Sequence, residues 1–206
     1  MADSYKSIAR RATAEVVERK SRFIGVVEPV TSEEEAFEVL GAIRAAHPEA
    51  RHNVWAYVLR DGRERCSDDG EPQKTAGLPT LEVLRRSGIV DVVAVTTRYF
   101  GGVLLGTGGL VRAYTVAVQE SLAAAEVVEY TSCVDVACEL PYALYEQVRH
   151  RALELGGKVV STDFAASVAM RLLFKKGEER AFITEMGELG RGEPIARVAG
   201  ERFCAF

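Results

Sequence analysis

The sequence predicts an α+β protein in two parts, the second built as a ferredoxin-like unit, and three observations carry that prediction. Short strands with period-two or fully apolar patterning are interspersed with amphipathic helices of period 3.6. One strand, Ile89 to Thr97, is nearly continuous in valine, as a strand buried on both faces should be. After Tyr130 the pattern restarts in the order β-α-β-β-α-β, which is the ferredoxin-like split unit. The boundary is therefore placed near Tyr130, giving domains 1–130 and 131–206.

Taken in order, Thr13 to Val17 and Ser21 to Val27 read as strands joined by a basic turn at Arg19-Lys20, and so as a hairpin. Thr31 or Ser32 followed by Glu33-Glu34-Glu35 starts a helix, because acids in a first turn complement the dipole. Ala36, Phe37, Leu40 and Ile43 mark its apolar face, and His47-Pro48 ends it. Arg51 to Leu59 is a strand carrying the single tryptophan, Trp55. Arg60 to Gly77 reads as a long polar loop, a length that in compact domains points to function. Pro79 to Arg86 is a short helix, and the valine strand follows it.

A longer helix runs from about Gly108 to Ala125. Its polar residues Arg112, Thr115 and Gln119 share one narrow stripe, which predicts that most of its circumference packs, with the helices covering one face of the sheet. Beyond Tyr130, Ser132 to Leu140 is a strand, and Pro141 to Leu155 a helix opened by proline and closed by Gly156-Gly157. Lys158 to Phe164 and Ser167 to Phe174 are strands, Glu178 to Leu189 is a helix, and Pro194 to Phe203 is the last strand.

The 206 residues carry 26 Lys and Arg against 30 Asp and Glu, a net charge of -4. Neither part is basic, with 16 cations against 19 anions up to Tyr130 and 10 against 11 after it. A protein that coats nucleic acid or anionic membrane non-specifically is excluded, and a local basic patch is not. The start, Met1-Ala2-Asp3-Ser4-Tyr5, lacks the charged and apolar regions of a leader, and no apolar run approaches the roughly 20 residues a bilayer requires, so a cytoplasmic protein is expected. Cys66, Cys133, Cys138 and Cys204 show no metal-binding spacing, and Cys133 and Cys138, on a strand, read as small buried hydrophobes; no cofactor is expected.

The chemistry concentrates where the valine strand ends. Arg98-Tyr99-Phe100-Gly101-Gly102 leads to Gly106-Thr107-Gly108-Gly109 and a helix start, whose first amide hydrogens are free to meet an anion. Arg112 lies in the first turn, at the positive end of the macrodipole, and so requires a carboxylate or a bound anion. The spacing is neither a P-loop nor a dinucleotide-binding fingerprint. Either an anion sits at this turn beside Arg98, or the turn is tight and Arg112 pairs with Asp68 or Asp69.

In the polar loop, Asp68, Asp69 and Glu71 surround Gly70; they form a divalent-cation site, or they balance Arg98, Arg112 and Lys74. His52 precedes Trp55 and Tyr57, and alternation places it on the opposite face. Ser67, Thr97 and Thr107 lack any local nucleophile signature. Tyr99 and Phe100 offer ring faces to bases beside Arg98, although a core position for Phe100 is the simpler expectation.

These strings together resemble the IMPACT family in its bacterial form. The resemblance runs through Lys20-Ser21-Arg22-Phe23-Ile24, His52-Asn53, Asp68-Asp69-Gly70-Glu71-Pro72, Thr75-Ala76-Gly77 and Thr97 to Gly102, ending at Arg112-Ala113-Tyr114. It implies a first domain like the second domain of a small-subunit ribosomal protein and domain IV of elongation factor G, followed by one like domain V of that factor. It further implies a link to translation, with RNA, the ribosome or a regulatory protein as partner, and no established enzymatic activity. Gln73-Lys74 departs from the Ser-Gly common in the family, which makes the loop stiffer and more basic.

The expectation that follows is a translation-associated regulator binding through His52, Arg98, Tyr99, the glycine turn, Arg112 and Lys74, with Asp68, Asp69 and Glu71 beside them. The alternative is an enzyme or binding protein for a phosphorylated small molecule, with a divalent metal on the three acids. The oligomeric state stays open.

Overall fold

A computed structural model of the chain describes residues 4–190 and 194–206. Met1 to Asp3, on which part of the leader reading falls, lie outside the described residues. The chain divides into two compact units, Tyr5–Val128 and Glu129–Phe206, with Ser4 belonging to the second.

The first unit is built on a sheet of order β2(Ala12–Glu18)-β3(Ser21–Pro29)-β6(Val92–Tyr99)-β4(His52–Val58)-β5(Glu64–Ser67). Every neighbouring pair in it is antiparallel. β6 is central and buried along its length, as its valine run requires. The loop read from Arg60 to Gly77 contains β5, a strand the sequence hides because its Glu64, Arg65 and Ser67 are polar edge residues. A first strand, β1(Ser4–Ile8), precedes these, and β7(Val127–Leu140) begins five residues before the strand read at Ser132.

Helix α1(Glu33–Ala46) begins at a capping box: Ser32 Oγ accepts from Glu35 N at 3.2 Å, and Glu35 Oε2 accepts from Thr31 N at 2.6 Å. Its Ala36, Leu40 and Ile43 pack on Val26, Trp55, Tyr57, Val93 and Val95. Burying Leu40 or Ile43 stabilises by roughly 1.5–3 kcal/mol each relative to exposure. The alternate residues of the same strands, Val27, Ala56, Val92 and Ala94, face α2(Gly77–Ser87) and α3(Gly106–Ala123). Helices therefore cover both faces of this sheet, not one, and that is why the consecutive residues Val92 to Val95 of β6 are all apolar.

Helix α3 also departs from its expected packing. It buries Leu110, Ala113, Tyr114, Ala117, Val118 and Ser121, a single i, i+3, i+4 stripe, and leaves Val111 and Arg112 exposed. Small and apolar residues on its outer side had imitated a wide buried face.

The second unit runs β7, a short 3₁₀ turn at Tyr142–Leu144, α4(Tyr145–Glu154), β8(Lys158–Phe164), β9(Val168–Lys175), α5(Glu179–Leu189) and β10(Ala196–Ala205). Its strands pair antiparallel in the order β10-β7-β9-β8. Val134, Val136, Val148, Met170, Leu172, Phe174 and Phe182 form its core beneath α4 and α5. Gly156, at φ +82°, stops α4 in the left-handed region where glycine carries no Cβ penalty. No helix among the described residues is long and apolar enough to cross a membrane.

Candidate functional site

β6 delivers Arg98 to the end of the sheet, opposite Phe23 on β3 and His52 on β4. Period-two alternation then sets His52 on the face away from Trp55 and Tyr57. Arg98 is buried, and its Nη1 donates to Glu71 Oε1 at 2.6 Å. Tyr114 Oη, from α3, donates to the same oxygen at 2.8 Å. Burial, with the Glu71 carboxylate second, pushes the Tyr114 phenol well above its ordinary value. The guanidinium lies 5.4 Å from the Phe23 ring and 5.7 Å from the Phe100 ring, and its Nε has no partner.

The three loop acids serve three separate ends. Asp68 Oδ1 accepts from Ala76 N at 3.0 Å and Gly77 N at 2.8 Å, while Oδ2 accepts from Lys74 N at 2.8 Å. It thereby supplies acceptors at the start of α2, where backbone donors lack intrahelical partners. Asp69 accepts from Arg44 Nη2 at 2.6 Å and from Asn53 N at 2.6 Å. Glu71 belongs to Arg98 and Tyr114. Among the described residues no group of three His, Cys, Asp or Glu side chains is placed to hold a metal ion, so the divalent-cation reading of Asp68, Asp69 and Glu71 is corrected. Pairing of Arg112 with Asp68 or Asp69 is corrected likewise, since each of those carboxylates has other partners.

His52 Nδ1 lies 2.8 Å from the Asp69 carbonyl oxygen. A carbonyl only accepts, so Nδ1 carries the proton and Nε2 is left for other company. Gly70, at φ +86°, closes this loop with its Cα side against the His52 ring. The remaining hydroxyls are structural: Ser67 Oγ accepts from Asp69 N at 3.1 Å, and Thr97 Oγ1 donates to Asn53 Oδ1 at 2.8 Å. Neither faces a base that would make it a nucleophile.

The glycine run divides its tasks. Gly101 is forced by packing, because a Cβ there would stand 2.0 Å from the Lys20 carbonyl carbon; its amide donates to Ser21 Oγ at 3.1 Å. Gly102 and Gly106 adopt φ of +81° and +73° with open space around them. Leu105 caps α3 without any side-chain hydrogen bond, and the first turn holds no acid. A cavity of about 360 Å³ opens there, lined by Gly106, Thr107, Gly108, Gly109, Arg112 and, from the β2–β3 turn, Glu18 and Arg19. Arg112 is exposed and makes no ion pair among the described residues.

The predicted residues therefore line three different cavities. Arg98, Tyr99 and His52 line one of about 500 Å³ with Phe100, and Gly106, Thr107, Gly108, Gly109 and Arg112 line the second, while Gly101 and Gly102 line neither. Lys74 borders a groove of about 510 Å³ between α2 and α3, with Leu78, Val111 and Leu122. Phe100 is 55% exposed, which overturns its expected core position. Sequence reasoning missed Glu49, Arg51 and Leu104, which complete the first cavity. The signal for Leu104 was present: an apolar residue between glycines, next to another at Val103, has no strand or helix to bury it.

Together these features define a two-unit α+β protein with a glycine-rich, cation-flanked helix start and a buried arginine–glutamate–tyrosine contact beneath it. The chain belongs to the IMPACT family: the Impact N-terminal domain matches residues 19–122, and a domain of unknown function, DUF1949, matches residues 138–193. The IMPACT family member YvyE of Bacillus subtilis (strain 168) is 36% identical across 94% of this chain and 90% of its own. The family member YigZ of Escherichia coli (strain K12) is 34% identical across 84% and 87%. A crystal structure of a hypothetical protein superposes on the whole chain, covering 98% of its own, at 30% identity and a TM-score of 0.62.

Proposed function

We propose that this protein is a cytoplasmic, translation-associated regulator that holds structured RNA at the start of α3. The observation that carries the reading is the uncapped helix end: Leu105, Gly106, Thr107 and Gly108, whose amides precede the first intrahelical bond, line a cavity with Arg112, Arg19 and Glu18, two cations against one carboxylate, and the helix's first turn holds no acid. Four orphan donors and the positive end of the dipole favour a phosphate, and exposed cations add to that field. Arg98 takes no part in charge neutralisation here, since Glu71 already meets it. Membership of the IMPACT family supports the link to translation.

The domain assignment, 1–130 as an IMPACT-type ribosomal-protein-like domain and 131–206 as a ferredoxin-like domain, belongs to the same proposal. The antiparallel order β10-β7-β9-β8 and the β-α-β-β-α-β sequence of elements support its second half.

The test is co-sedimentation with ribosomes and binding to a structured RNA at low and moderate salt, comparing the wild type with Arg112→Ala. Affinity should fall with salt at a slope of roughly -0.7 to -0.9 per phosphate contact, and Arg112→Ala should reduce that slope by about one contact. A flat salt response, or binding unchanged in Arg112→Ala, overturns the reading. Capture of a regulatory protein by the same surface, with no RNA bound, overturns it equally.

A further inference from the structure

We infer that the cavity at the end of β6, distinct from the start of α3, is a binding site for a nucleoside monophosphate unit, either free or as an unpaired residue of an RNA. The cavity measures about 500 Å³ and is lined by Glu49, Arg51, His52, Arg98, Tyr99, Phe100 and Leu104. Such a volume lies within the range of small-ligand sites.

Each part of a nucleotide finds its chemistry there. The anion meets Arg51, which is exposed and makes no ion pair among the described residues, while the Nε2 lone pair of His52, whose Nδ1 carries the proton toward the Asp69 carbonyl, accepts from a ribose hydroxyl or a base amino group. Arg98 supplies a further donor: its side chain is only 8% exposed, Nη1 is bound to Glu71, and Nε meets no acceptor. A buried donor left unmade costs free energy, and an acceptor from a ligand removes that cost. The planar base meets Phe100, 55% exposed, whose ring centroid lies 5.7 Å from the Arg98 guanidinium. Leu104, 82% exposed, adds an apolar flank.

Glu49 decides between ligand classes. A carboxylate in the same cavity disfavours a bare inorganic phosphate and suits the hydroxyls of a ribose or the amino group of a base, both donors. A nucleotide carries the anion, the donors and the flat ring together. Inorganic phosphate and a purely apolar ligand each leave part of the lining unmatched.

The experiment titrates the ¹⁵N-labelled full chain with adenosine and uridine monophosphates, and separately with an RNA hairpin bearing a one-nucleotide bulge and its fully paired counterpart. The reporter is the Arg98 side-chain Nε–H resonance. Saturable movement with the monophosphates assigns the site to free nucleotide, and movement with the bulged hairpin alone assigns it to an unpaired residue of RNA. Phe100→Ala, a surface change that leaves the fold intact, should weaken either by about tenfold or more, the range of base–aromatic stacking. Arg112→Ala should leave monophosphate binding unchanged, so failure of the α3 reading and failure of this one are separable. No movement with any of these probes, or equal affinity in Phe100→Ala, overturns the inference.

Discussion

Arg98 Nη1 stands 2.6 Å from Glu71 Oε1 with 8% and 4% of the two side chains exposed, and Tyr114 donates to the same carboxylate oxygen at 2.8 Å. This contact ties three segments together: the end of β6, the acidic loop before α2, and the third turn of α3. The chain between Tyr99 and Gly106 is thus held at both ends while Phe100 and Gly102 to Leu104 stay exposed.

A buried pair is costly to break from one side, because the partner keeps its charge without its neighbour. Arg98→Ala should lower unfolding stability by about 3–5 kcal/mol, whereas Arg98→Met combined with Glu71→Gln should cost clearly less than the single change. Urea titration of the two variants decides the matter. Equal losses would mean that Glu71 is not stranded by removal of Arg98.

Tyr114 makes this contact sensitive to alkali. Its folded phenol titrates above the unfolded value of about 10, chiefly because of burial. A raised value means that the folded state holds the proton more tightly, so the stabilisation is complete below pH about 10 and is lost as pH rises above it. Tyr114→Phe lacks the hydrogen bond to a charged acceptor, worth about 1.5–3 kcal/mol at neutral pH, and also lacks the alkaline loss. The gap in urea midpoint between wild type and variant should therefore narrow between pH 8 and about pH 11. A gap that stays constant over that span would contradict the buried-phenol account.

Asp68 accepts three backbone hydrogen bonds around the start of α2, and no other side chain takes its place. Asp68→Ala should cost about 0.5–2 kcal/mol, as loss of a helix cap does, and should speed hydrogen exchange at the amides of Ala76 and Gly77. Exchange at those two amides that matches the wild type would assign their protection to something other than Asp68.

How far the sequence revealed this arrangement depended on the range of each signal. The start of α1 was plain because Ser32 and Glu35 form a local device, and the central strand was plain because Val92 to Val95 bury both faces. β5 was invisible because an edge strand with Glu64 and Arg65 has no apolar pattern to display. The loop acids were recognised as a cluster, yet their partners Arg44, the Ala76 amide and Arg98 come from three elements. Carboxylates adjacent in sequence were sent in different directions by positive φ at Asp69, Gly70 and Lys74, a feature of the chain's path that composition does not encode.

Packing fixes Gly101 more firmly than its neighbours. A methyl group there would overlap the Lys20 carbonyl carbon at 2.0 Å and the Ser21 amide nitrogen at 2.3 Å, both backbone atoms of the β2–β3 hairpin. Gly101→Ala must displace that hairpin and should lower the thermal midpoint sharply. Gly108→Ala, which meets nothing within 4 Å and sits in a helix at ordinary φ, should leave it unchanged or raise it by a few degrees. Similar midpoints for the two variants would refute the close approach.

The hairpin turn carries backbone strain that the proposed RNA contact at the start of α3 would account for. Arg19 and Lys20 adopt φ of +45° and +67°, the left-handed pair of a two-residue turn that Asn-Gly fills most readily. Each non-glycine residue there costs roughly 1 kcal/mol or more, and strain of this kind persists where the side chains are needed. Arg19 is one of the cations lining the cavity at the start of α3. Arg19→Asn combined with Lys20→Gly should therefore raise unfolding stability by about 1–2 kcal/mol while weakening RNA binding and flattening its salt dependence. The two readouts, urea titration and salt-dependent RNA binding, must move in opposite directions. A variant that gains stability and binds RNA as tightly as before would show that the turn's cations do not touch phosphate, and a variant that gains none would show that the strained turn is not the cost assigned to it.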